Sequence, residues 1–327
     1  MTTKVAIVSD HIYEPLGEDG VKMKYITIPN SDLNVSEIAL GCMRISGMPN
    51  QEIATLIHTA LEEGINFFDH ADIYGGGKSE AKFSEAIGMN ARLRKQMILQ
   101  TKCGIQQGYY DFSKEHLLEA VDGSLKRLRT DYIDVLLLHR PDALVEPEQV
   151  AEAFDALQKS GKVKYFGVSN QNPMQIDLLR KFVKQPILFN QLQLSIPFTG
   201  MIDAGINVNM KIDGSVDRDG SILDYCRLHD ITIQPWSPFQ YGFFEGVFLD
   251  NPKFPELNQK ITVIASAKGV TTTAIAIAWL LRHPARMQPI LGTTTPQRVK
   301  DSCQASNVTL TRQEWYEIYL SAGNTLP

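Results

Sequence analysis

The chain has 327 residues, of which 43% are hydrophobic and 21% are charged, as is usual for a globular enzyme. Its 32 basic and 37 acidic side chains give a net charge of −5 without a long run of either sign, so a nucleic-acid-binding protein is not expected. No apolar run approaches the roughly 18 residues of a membrane-spanning helix, and the N-terminus lacks the pattern of a secretory signal.

The four cysteines, Cys42, Cys103, Cys226 and Cys303, are far apart in the sequence and include no CxxC pair. A structural zinc site is therefore not expected, and no other metal site is predicted. Widely spaced cysteines without a disulfide pattern indicate reduced thiols, so we predict a cytoplasmic protein that does not contact a membrane.

Residues 1–22 do not resemble the start of a folded core, because a short apolar stretch is followed by the turn-rich, acidic segment DHIYEPLGEDG. We interpret these residues as an N-terminal extension of unknown role. From Met23 onward, two short alternating stretches joined by Asn30, Ser31 and Asp32 predict a β-hairpin. We expect residues 23–327 to form a single domain that begins with this hairpin.

After the hairpin, short apolar stretches alternate with amphipathic stretches of helical periodicity. Near-continuous apolar strands are typical of parallel sheets that are covered on both faces, so the alternation indicates an α/β domain. The strands are predicted at 38–41, 65–68, 97–101, 132–138, 163–168, 188–192, 231–235 and 288–291.

Helices are predicted between these strands from their periodicity and from capping residues. Asn50 and Ser113 are expected N-caps, and Thr311 with Glu314 forms a predicted capping box before the last helix. Further helices are predicted at 79–87, 148–160, 174–182, 221–229, 257–268, 272–283 and 298–305, and long loops at 195–219 and 237–256.

Eight strand–helix units favour a (β/α)8 TIM barrel over an open, doubly wound sheet, although periodicity alone leaves both folds open. In such a barrel, active-site residues lie at the carboxyl ends of the strands. Successive strand ends carry Asp69, Lys102 and His139, and Tyr74 follows Asp69 by five residues. Each has an ordinary structural explanation when taken alone. Together they form a candidate site, because burying Asp69 and Lys102 in one barrel mouth is costly unless they pair.

The chemistry that these four side chains suggest is proton donation to a carbonyl oxygen. A tyrosine has an unperturbed pKa of about 10, and a neighbouring ammonium group favours the phenolate. We therefore expect Lys102 to lower the pKa of Tyr74, and Asp69 to hold Lys102 in place. A neutral His139 would orient the carbonyl oxygen by a hydrogen bond while hydride arrives at the carbon.

Seven segments of this chain resemble motifs of the aldo-keto reductase family and occur in the family's order within residues 24–305. The resemblance implies a (β/α)8 barrel, a nicotinamide cofactor bound without a Rossmann fold, and reduction of an aldehyde or ketone. It also implies the catalytic tetrad Asp69, Tyr74, Lys102 and His139, with Tyr74 as the general acid. The segments are FFDHADIYGGGKSE, LQTKCG, DVLLLHRPD, YFGVSNQ, FNQLQLS, PWSPF and ILGTTTPQR.

The resemblance also implies which residues contact the cofactor. They are expected to hold the nicotinamide carboxamide, to stack on its ring through Trp236, to cover the pyrophosphate, and to grip the adenosine ribose and its 2′-phosphate. In chain order the predicted contacts are Gly41, Met43, Ser169, Asn170, Gln191, Trp236, Ser237, Phe239, Gly242, Thr293, Thr294 and Arg298.

Three positions depart from the family's pattern. Gly292 stands where many members have a lysine or serine that contacts the 2′-phosphate, so the predicted preference for NADPH over NADH rests on Arg298, which can clamp a phosphate with two hydrogen bonds. His70 replaces a threonine that often follows the aspartate, and we interpret it as a packing residue. Ser302 replaces an asparagine that some members place near the adenine.

Some segments of the sequence suggest other functions. The segment GGGKS at 75–79 resembles the end of a P-loop, but Asp72 stands where that motif needs glycine. No GxGxxG follows the first strand, so a Rossmann fold is unsupported. A barrel aldolase with Lys102 as Schiff-base nucleophile is disfavoured by the expected pairing with Asp69. A nicotinamide-binding regulatory subunit with little turnover stays an alternative.

The expected partner is a small carbonyl compound, and the barrel loops would select it. Those loops carry mainly apolar and aromatic side chains, which suit a range of carbonyl substrates. The predicted mouth residues are Met43, Ile45, Arg140, Ile196, Phe198, Tyr241 and Phe243.

Overall fold

The computed structural model describes residues 23–327, and the predicted extension 1–22 lies outside them. A β-hairpin comes first: β1 (Tyr25–Thr27) pairs antiparallel with β2 (Asn34–Ser36), as predicted. Its apolar side chains Ile28, Leu33 and Val35 are buried against residues of the barrel strands, so the hairpin covers the amino-terminal end of the barrel.

Eight parallel strands follow in the order β10-β3-β4-β5-β6-β7-β8-β9. Ile233 in the last of these donates from its backbone N–H to Arg286 O, and Gln288 N–H donates to Ile233 O, both at 2.9 Å, which joins the two edges of the sheet. The predicted (β/α)8 barrel is therefore confirmed. Its strands are β3 (Ala39–Gly41), β4 (Phe67–Asp69), β5 (Ile98–Cys103), β6 (Ile133–Leu138), β7 (Val163–Ser169), β8 (Ile187–Gln193), β9 (Thr232–Trp236) and β10 (Ile290–Leu291).

The helices surround this sheet. Ser113 accepts a hydrogen bond from His116 N, and Thr311 with Glu314 forms the capping box, so both predicted caps are confirmed. The helices are α1 (Asn50–Glu62), α2 (Lys78–Ala86), α3 (Ala91–Arg94), α4 (Lys114–Leu128), α5 (Pro147–Lys159), α6 (Pro173–Arg180), α7 (Gly200–Ile206), α8 (Ile222–Leu228), α9 (Pro255–Lys268), α10 (Thr272–Leu281), α11 (Pro296–Cys303) and α12 (Arg312–Ser321).

Several local predictions were wrong. Asn50 is the first residue of α1 rather than its N-cap, and its side-chain oxygen accepts a hydrogen bond of 2.9 Å from Lys82 Nζ. The predicted loop 195–219 contains the helix α7, whose Asp203 accepts a hydrogen bond from Tyr319 in α12. Strand β5 does not end before Lys102 but continues through Cys103, because Lys102 finds polar partners inside the barrel.

All strands except the hairpin share one barrel, and on this basis we propose that residues 23–327 are a single domain. Among these residues, no single helix has the length and apolar composition needed to cross a bilayer, and α9 and α10 meet that criterion only as a pair bent by 94°. The four cysteines are free thiols and are buried.

Candidate active site

A cavity of about 850 Å³ lies at the carboxyl ends of the barrel strands, where an active site is expected in this fold. Asp69, Tyr74 and His139 line it, whereas Lys102 lies behind them and is completely buried. The four residues come from β4, the loop after it, β5 and the end of β6. Parallel strands bring these positions to one edge of the barrel although they are far apart in the sequence.

Lys102 is the centre of the constellation. Its Nζ donates hydrogen bonds to Asp69 Oδ2 at 2.7 Å, to the Tyr74 hydroxyl at 3.0 Å and to the backbone oxygen of His70 at 2.8 Å. Three acceptors use all three ammonium hydrogens, so the charge of this completely buried side chain is fully hydrogen-bonded. Tyr74 is therefore held with its hydroxyl beside a fixed positive charge.

Burial and the neighbouring charges shift the pKa values of both Lys102 and Tyr74, and the shift of Tyr74 is opposite to the one expected. Burial alone would lower the pKa of Lys102, but Asp69 and Tyr74 together raise it, so the ammonium form persists. Burial also raises the pKa of Tyr74, and this effect outweighs the lowering by Lys102. The expected net lowering of the Tyr74 pKa was wrong, because removing water from around a phenolate costs more than one ammonium recovers.

His139 faces Tyr74 across the cavity. The two ring centroids are 5.8 Å apart, and the ring planes are nearly perpendicular at 81°. Burial, followed by the charges of Lys102 and Arg140, holds the pKa of His139 well below its usual 6.5. The imidazole is therefore neutral at physiological pH, and its ring N–H can donate a hydrogen bond to an oxygen held beside Tyr74.

Four of the predicted nicotinamide contacts form one hydrogen-bonded group. Trp236 Nε1 donates to Asn170 Oδ1 at 3.1 Å, Asn170 Nδ2 donates to Ser169 Oγ at 2.7 Å, and Ser169 Oγ donates to Gln191 O at 3.1 Å. Asn170 has a φ of 55°, a left-handed conformation that asparagine adopts more readily than most residues. The group fixes the plane of the Trp236 ring at the cavity wall.

Most predicted cofactor contacts line this cavity, but two do not. Gly242 and Thr294 are absent from its wall, and Gly242 instead accepts a hydrogen bond from Gln193 Nε2 through its backbone oxygen. At Gly41 a Cβ would lie 2.9 Å from Ile290 Cγ2, so glycine lets β3 and β10 approach closely. The predicted contacts that line the wall are Gly41, Met43, Ser169, Asn170, Gln191, Trp236, Ser237, Phe239, Thr293 and Arg298.

Sequence reasoning missed several wall residues. Thr272 and Thr273 begin α10 and line the cavity together with Asp250 and Tyr110. The run of three threonines at 271–273 was a usable signal, because hydroxyl groups at a helix start are available to a ligand as well as to the cap. Tyr110 belongs to a loop after β5 whose position has no local signature.

The predicted mouth residues divide into three groups. Met43, Arg140 and Phe243 line the cavity, and the ring of Phe243 lies 6.1 Å from that of Trp236. Ile45 and Ile196 are buried in the core, so their prediction as mouth residues was wrong. The other two, Phe198 and Tyr241, are absent from the cavity wall.

His70 lies directly behind the site and is completely buried. Its ring packs edge-on against Phe83 with centroids 4.5 Å apart, and neither ring nitrogen has a hydrogen-bond partner within residues 23–327. Burial, and secondly the charge of Lys102, lowers the pKa of His70 from 6.5 to about 3. The side chain therefore acts as a neutral packing group.

This burial predicts an acid-sensitive contribution to stability. The lowered pKa means that the unfolded chain binds a proton at His70 below about pH 6.5 while the folded chain does not, so stability falls as the pH drops from 6.5 toward 3. We expect His70 to cost about 2 kcal/mol of unfolding free energy at about pH 5. Urea denaturation of wild type and His70→Phe at neutral pH and at about pH 5 measures it. If wild type and His70→Phe lose the same unfolding free energy between neutral pH and about pH 5, His70 is not the source of the acid sensitivity.

Comparison with known proteins gives consistent matches. Residues 37–319 match the family model described as the aldo/keto reductase family. The chain is 35% identical over 305 residues to the uncharacterized oxidoreductase YcsN of Bacillus subtilis, covering 88% of this chain and 94% of YcsN. It is 34% identical over 304 residues to a 6-dehydroglucose reductase of Agrobacterium fabrum, covering 89% of this chain and 95% of that relative.

A solved structure shows the same fold. An aldo-keto reductase from Klebsiella pneumoniae in complex with NADPH matches with a TM-score of 0.73 and 22% sequence identity, over 90% of this chain and 94% of that chain. The agreement extends across nearly the whole barrel described above.

Proposed function

The chain belongs to the aldo/keto reductase family, and from that membership we propose that Tyr74 is the general acid in NAD(P)H-dependent reduction of an aldehyde or ketone. One observation carries the proposal: Lys102 Nζ lies 2.7 Å from Asp69 and 3.0 Å from the Tyr74 hydroxyl at the wall of the cavity. The test is NADPH-dependent turnover of a generic aldehyde such as 4-nitrobenzaldehyde, and wild-type protein that binds NADPH without turnover would contradict it.

The residues at the wall fit a nicotinamide group. Trp236 presents a fixed aromatic face, and Gln191 presents a side-chain amide whose oxygen has no hydrogen-bond partner within residues 23–327. When bound in reduced form, the cofactor supplies hydride to the carbonyl carbon. Arg298 and Thr293 line the same cavity, and they would hold the adenosine end of the cofactor.

The protein residues would manage the proton. Neutral His139 donates a hydrogen bond to the carbonyl oxygen and places it beside the Tyr74 hydroxyl. As hydride reaches the carbon, the oxygen takes the Tyr74 proton, and the product is an alcohol. The resulting phenolate is stabilised by Lys102, whose charge Asp69 maintains, and Tyr74 regains its proton from solvent.

NADPH is proposed as the preferred cofactor. Arg298 lines the cavity and forms no salt bridge with any residue in the described part of the chain, so its guanidinium is available to a phosphate. The Klebsiella pneumoniae structure with the same fold contains NADPH. Gly292 offers no side chain, so Arg298 is the one cationic side chain that the segment 292–302 contributes to the cavity wall.

Removing Arg298 is expected to discriminate between the two cofactors. Arg298→Ala should weaken NADPH binding by roughly 10- to 100-fold, because a charge-assisted phosphate contact is lost, and should weaken NADH binding less than about threefold. Fluorescence titration with each cofactor measures this, with Arg312→Ala as the matched control, because Arg312 is exposed at the start of α12 and does not line the cavity. Equal weakening of NADPH and NADH would disprove the proposed 2′-phosphate contact.

The aldolase interpretation loses support in the structure. A Schiff-base lysine must be neutral and free to attack, whereas Lys102 has a raised pKa and donates to three acceptors. No contact within residues 23–327 favours a purely regulatory, nicotinamide-binding role. A cytoplasmic location stays a prediction that the free thiols support.

A further inference from the structure

Four buried glutamines cross the interior of the barrel in one hydrogen-bonded series. Gln100, Gln191 and Gln234 lie on β5, β8 and β9, and Gln288 lies just before β10. All four are at most 4% exposed. We call the series formed by these four residues the glutamine relay. It runs from Ser36 in the hairpin at one end of the barrel to Asp69 in the active site.

The relay begins at a backbone oxygen. Gln288 Nε2 donates to Ser36 O at 2.8 Å, and Gln234 Nε2 donates to Gln288 Oε1 at 2.9 Å. Gln234 Oε1 then accepts from Gln191 Nε2 at 3.2 Å and from Gln100 Nε2 at 2.8 Å. Gln288 and Gln234 thus donate toward the hairpin and accept from the active-site side, whereas Gln100 and Gln191 donate in both directions.

The relay ends at the catalytic carboxylate. Asp69 Oδ1 accepts from Gln100 Nε2 at 2.6 Å and from Gln191 Nε2 at 3.1 Å, while Asp69 Oδ2 is bound to Lys102. A backbone carbonyl and an ion-paired carboxylate can only accept hydrogen bonds, so both ends of the relay demand N–H donors. Reversing any single amide would bring two acceptors or two donors together, so the direction of the whole series is determined.

The direction of these hydrogen bonds determines which polar atom of the Gln191 amide is left free to contact a ligand in the cavity. Its Nε2 carries two hydrogens, and both are used, one on Asp69 and one on Gln234. The remaining polar atom, Oε1, has no hydrogen-bond partner in the described part of the chain, and Gln191 lines the cavity. Gln191 therefore offers a ligand an acceptor and no donor.

We propose that Gln288, Gln234 and Gln100 are positioning residues that hold Gln191 Oε1 toward the amide NH2 of a nicotinamide carboxamide. The inference rests on the proposed function, since it needs a nicotinamide in this cavity. None of the three lines the cavity wall, so they act only through Gln191 and Asp69. If the relay is cut at Gln288, Gln234 Nε2 is left buried without its acceptor, and the Gln234 amide and the Gln191 amide bound to it shift from their present positions. Asp69 still accepts from Gln191 Nε2, so the amide of Gln191 does not reverse, but its Oε1 no longer meets the carboxamide NH2 at hydrogen-bond distance.

The test compares two dinucleotides that differ only in the NH2 of the nicotinamide carboxamide. NADP⁺ carries a carboxamide, whereas its 3-acetylpyridine analogue has a methyl group in place of the NH2. Gln288→Met keeps the length of the side chain but cannot donate to Ser36 O. Calorimetric titration should show NADP⁺ binding weakened about threefold to tenfold by this change, with binding of the acetylpyridine analogue unchanged.

Gln185→Met is the matched control, because Gln185 is a buried glutamine that bonds Asp155 and Gln158 outside the relay. It should weaken neither dinucleotide selectively. Gln234→Met cuts the relay one link closer to Gln191 and should give the same selective loss, which keeps the test available if Gln288→Met fails to fold.

The outcomes separate the relay from the proposed function. If wild type binds both dinucleotides and both relay variants weaken them equally, or not at all, the relay is only structural and the inference is wrong. If wild type binds neither dinucleotide, the proposed function itself is wrong and the inference falls with it. Selective loss for NADP⁺ supports the relay, because a general loosening of the barrel would affect both ligands.

Discussion

Replacing Tyr74 by phenylalanine is expected to lower the rate of NADPH-dependent aldehyde reduction by roughly 10²- to 10⁴-fold while changing NADPH affinity by less than about twofold. The substitution removes one hydroxyl group and leaves the ring against the cavity wall, where it faces His139. It takes away the only predicted proton donor that is hydrogen-bonded to Lys102. The measurement is steady-state turnover of 4-nitrobenzaldehyde beside a fluorescence titration with NADPH.

Tyr109→Phe is the matched control. Tyr109 precedes Tyr110 in the loop after β5, is 59% exposed and does not line the cavity, so its variant should turn over like wild type. Should Tyr74→Phe reduce the aldehyde at the wild-type rate, the general acid must be another group. A loss of NADPH affinity equal to the loss of rate would mean that Tyr74 binds the cofactor rather than donating a proton.

The raised pKa of Tyr74 changes how this residue would work. We expected a tyrosine made acidic by Lys102, whereas burial leaves its pKa above the ordinary 10. A protonated Tyr74 is then available throughout the neutral range, which suits the direction of reduction. Lys102 contributes mainly by stabilising the phenolate that remains after the proton has left.

Much of the site could be predicted because it follows from the fold. Asp69, Lys102 and His139 stand at or near the ends of successive apolar strands, and parallel strands align such ends on one side of a barrel. Their order in the chain therefore places them together without any knowledge of contacts. Tyr74 was assigned from its chemistry and its position in the loop after β4.

The glutamine relay could not be predicted in this way. Gln100 and Gln234 are separated by 134 residues, yet their side chains are 2.8 Å apart inside the barrel. Three of the glutamines lie inside strands with several apolar residues and Gln288 lies just before one, a pattern that does not show whether a side chain points into the barrel or toward the helices. Only the register of neighbouring strands brings the four amides into one series.

Helix α7 and the length of β5 escaped prediction for a related reason. The segment 195–219 is polar and contains glycines, which favours a loop, but Asp203 in α7 is held by Tyr319 and Thr199. Strand β5 contains a lysine near its end, which normally marks solvent. In both cases a distant hydrogen-bond partner overrides the local preference.

Removing Lys102 is expected to produce the largest combined effect on stability and activity. Lys102→Met leaves Asp69 buried and unpaired, which should lower the free energy of unfolding by about 3–5 kcal/mol. Because the pKa of Lys102 is raised in the folded state, its stabilisation is fully present below the ordinary pKa of 10.5 and is lost as the pH rises through the folded value. The measurement is urea denaturation near neutral pH, and Lys162→Met, which breaks the exposed pair with Asp122, should cost less than about 1 kcal/mol.

A second substitution separates two roles of Lys102, which are to balance the charge of Asp69 and to stabilise the Tyr74 phenolate. In the double variant Asp69→Asn, Lys102→Met, the neutral amide needs no counter-charge and its oxygen can still accept from Gln100 and Gln191, so most of the lost stability should return. Aldehyde reduction should stay at least about 100-fold below wild type, because no ammonium stabilises the Tyr74 phenolate. A double variant that regained activity together with stability would show that Lys102 serves only to balance Asp69, and the proton would then have to come from Tyr74 without its help.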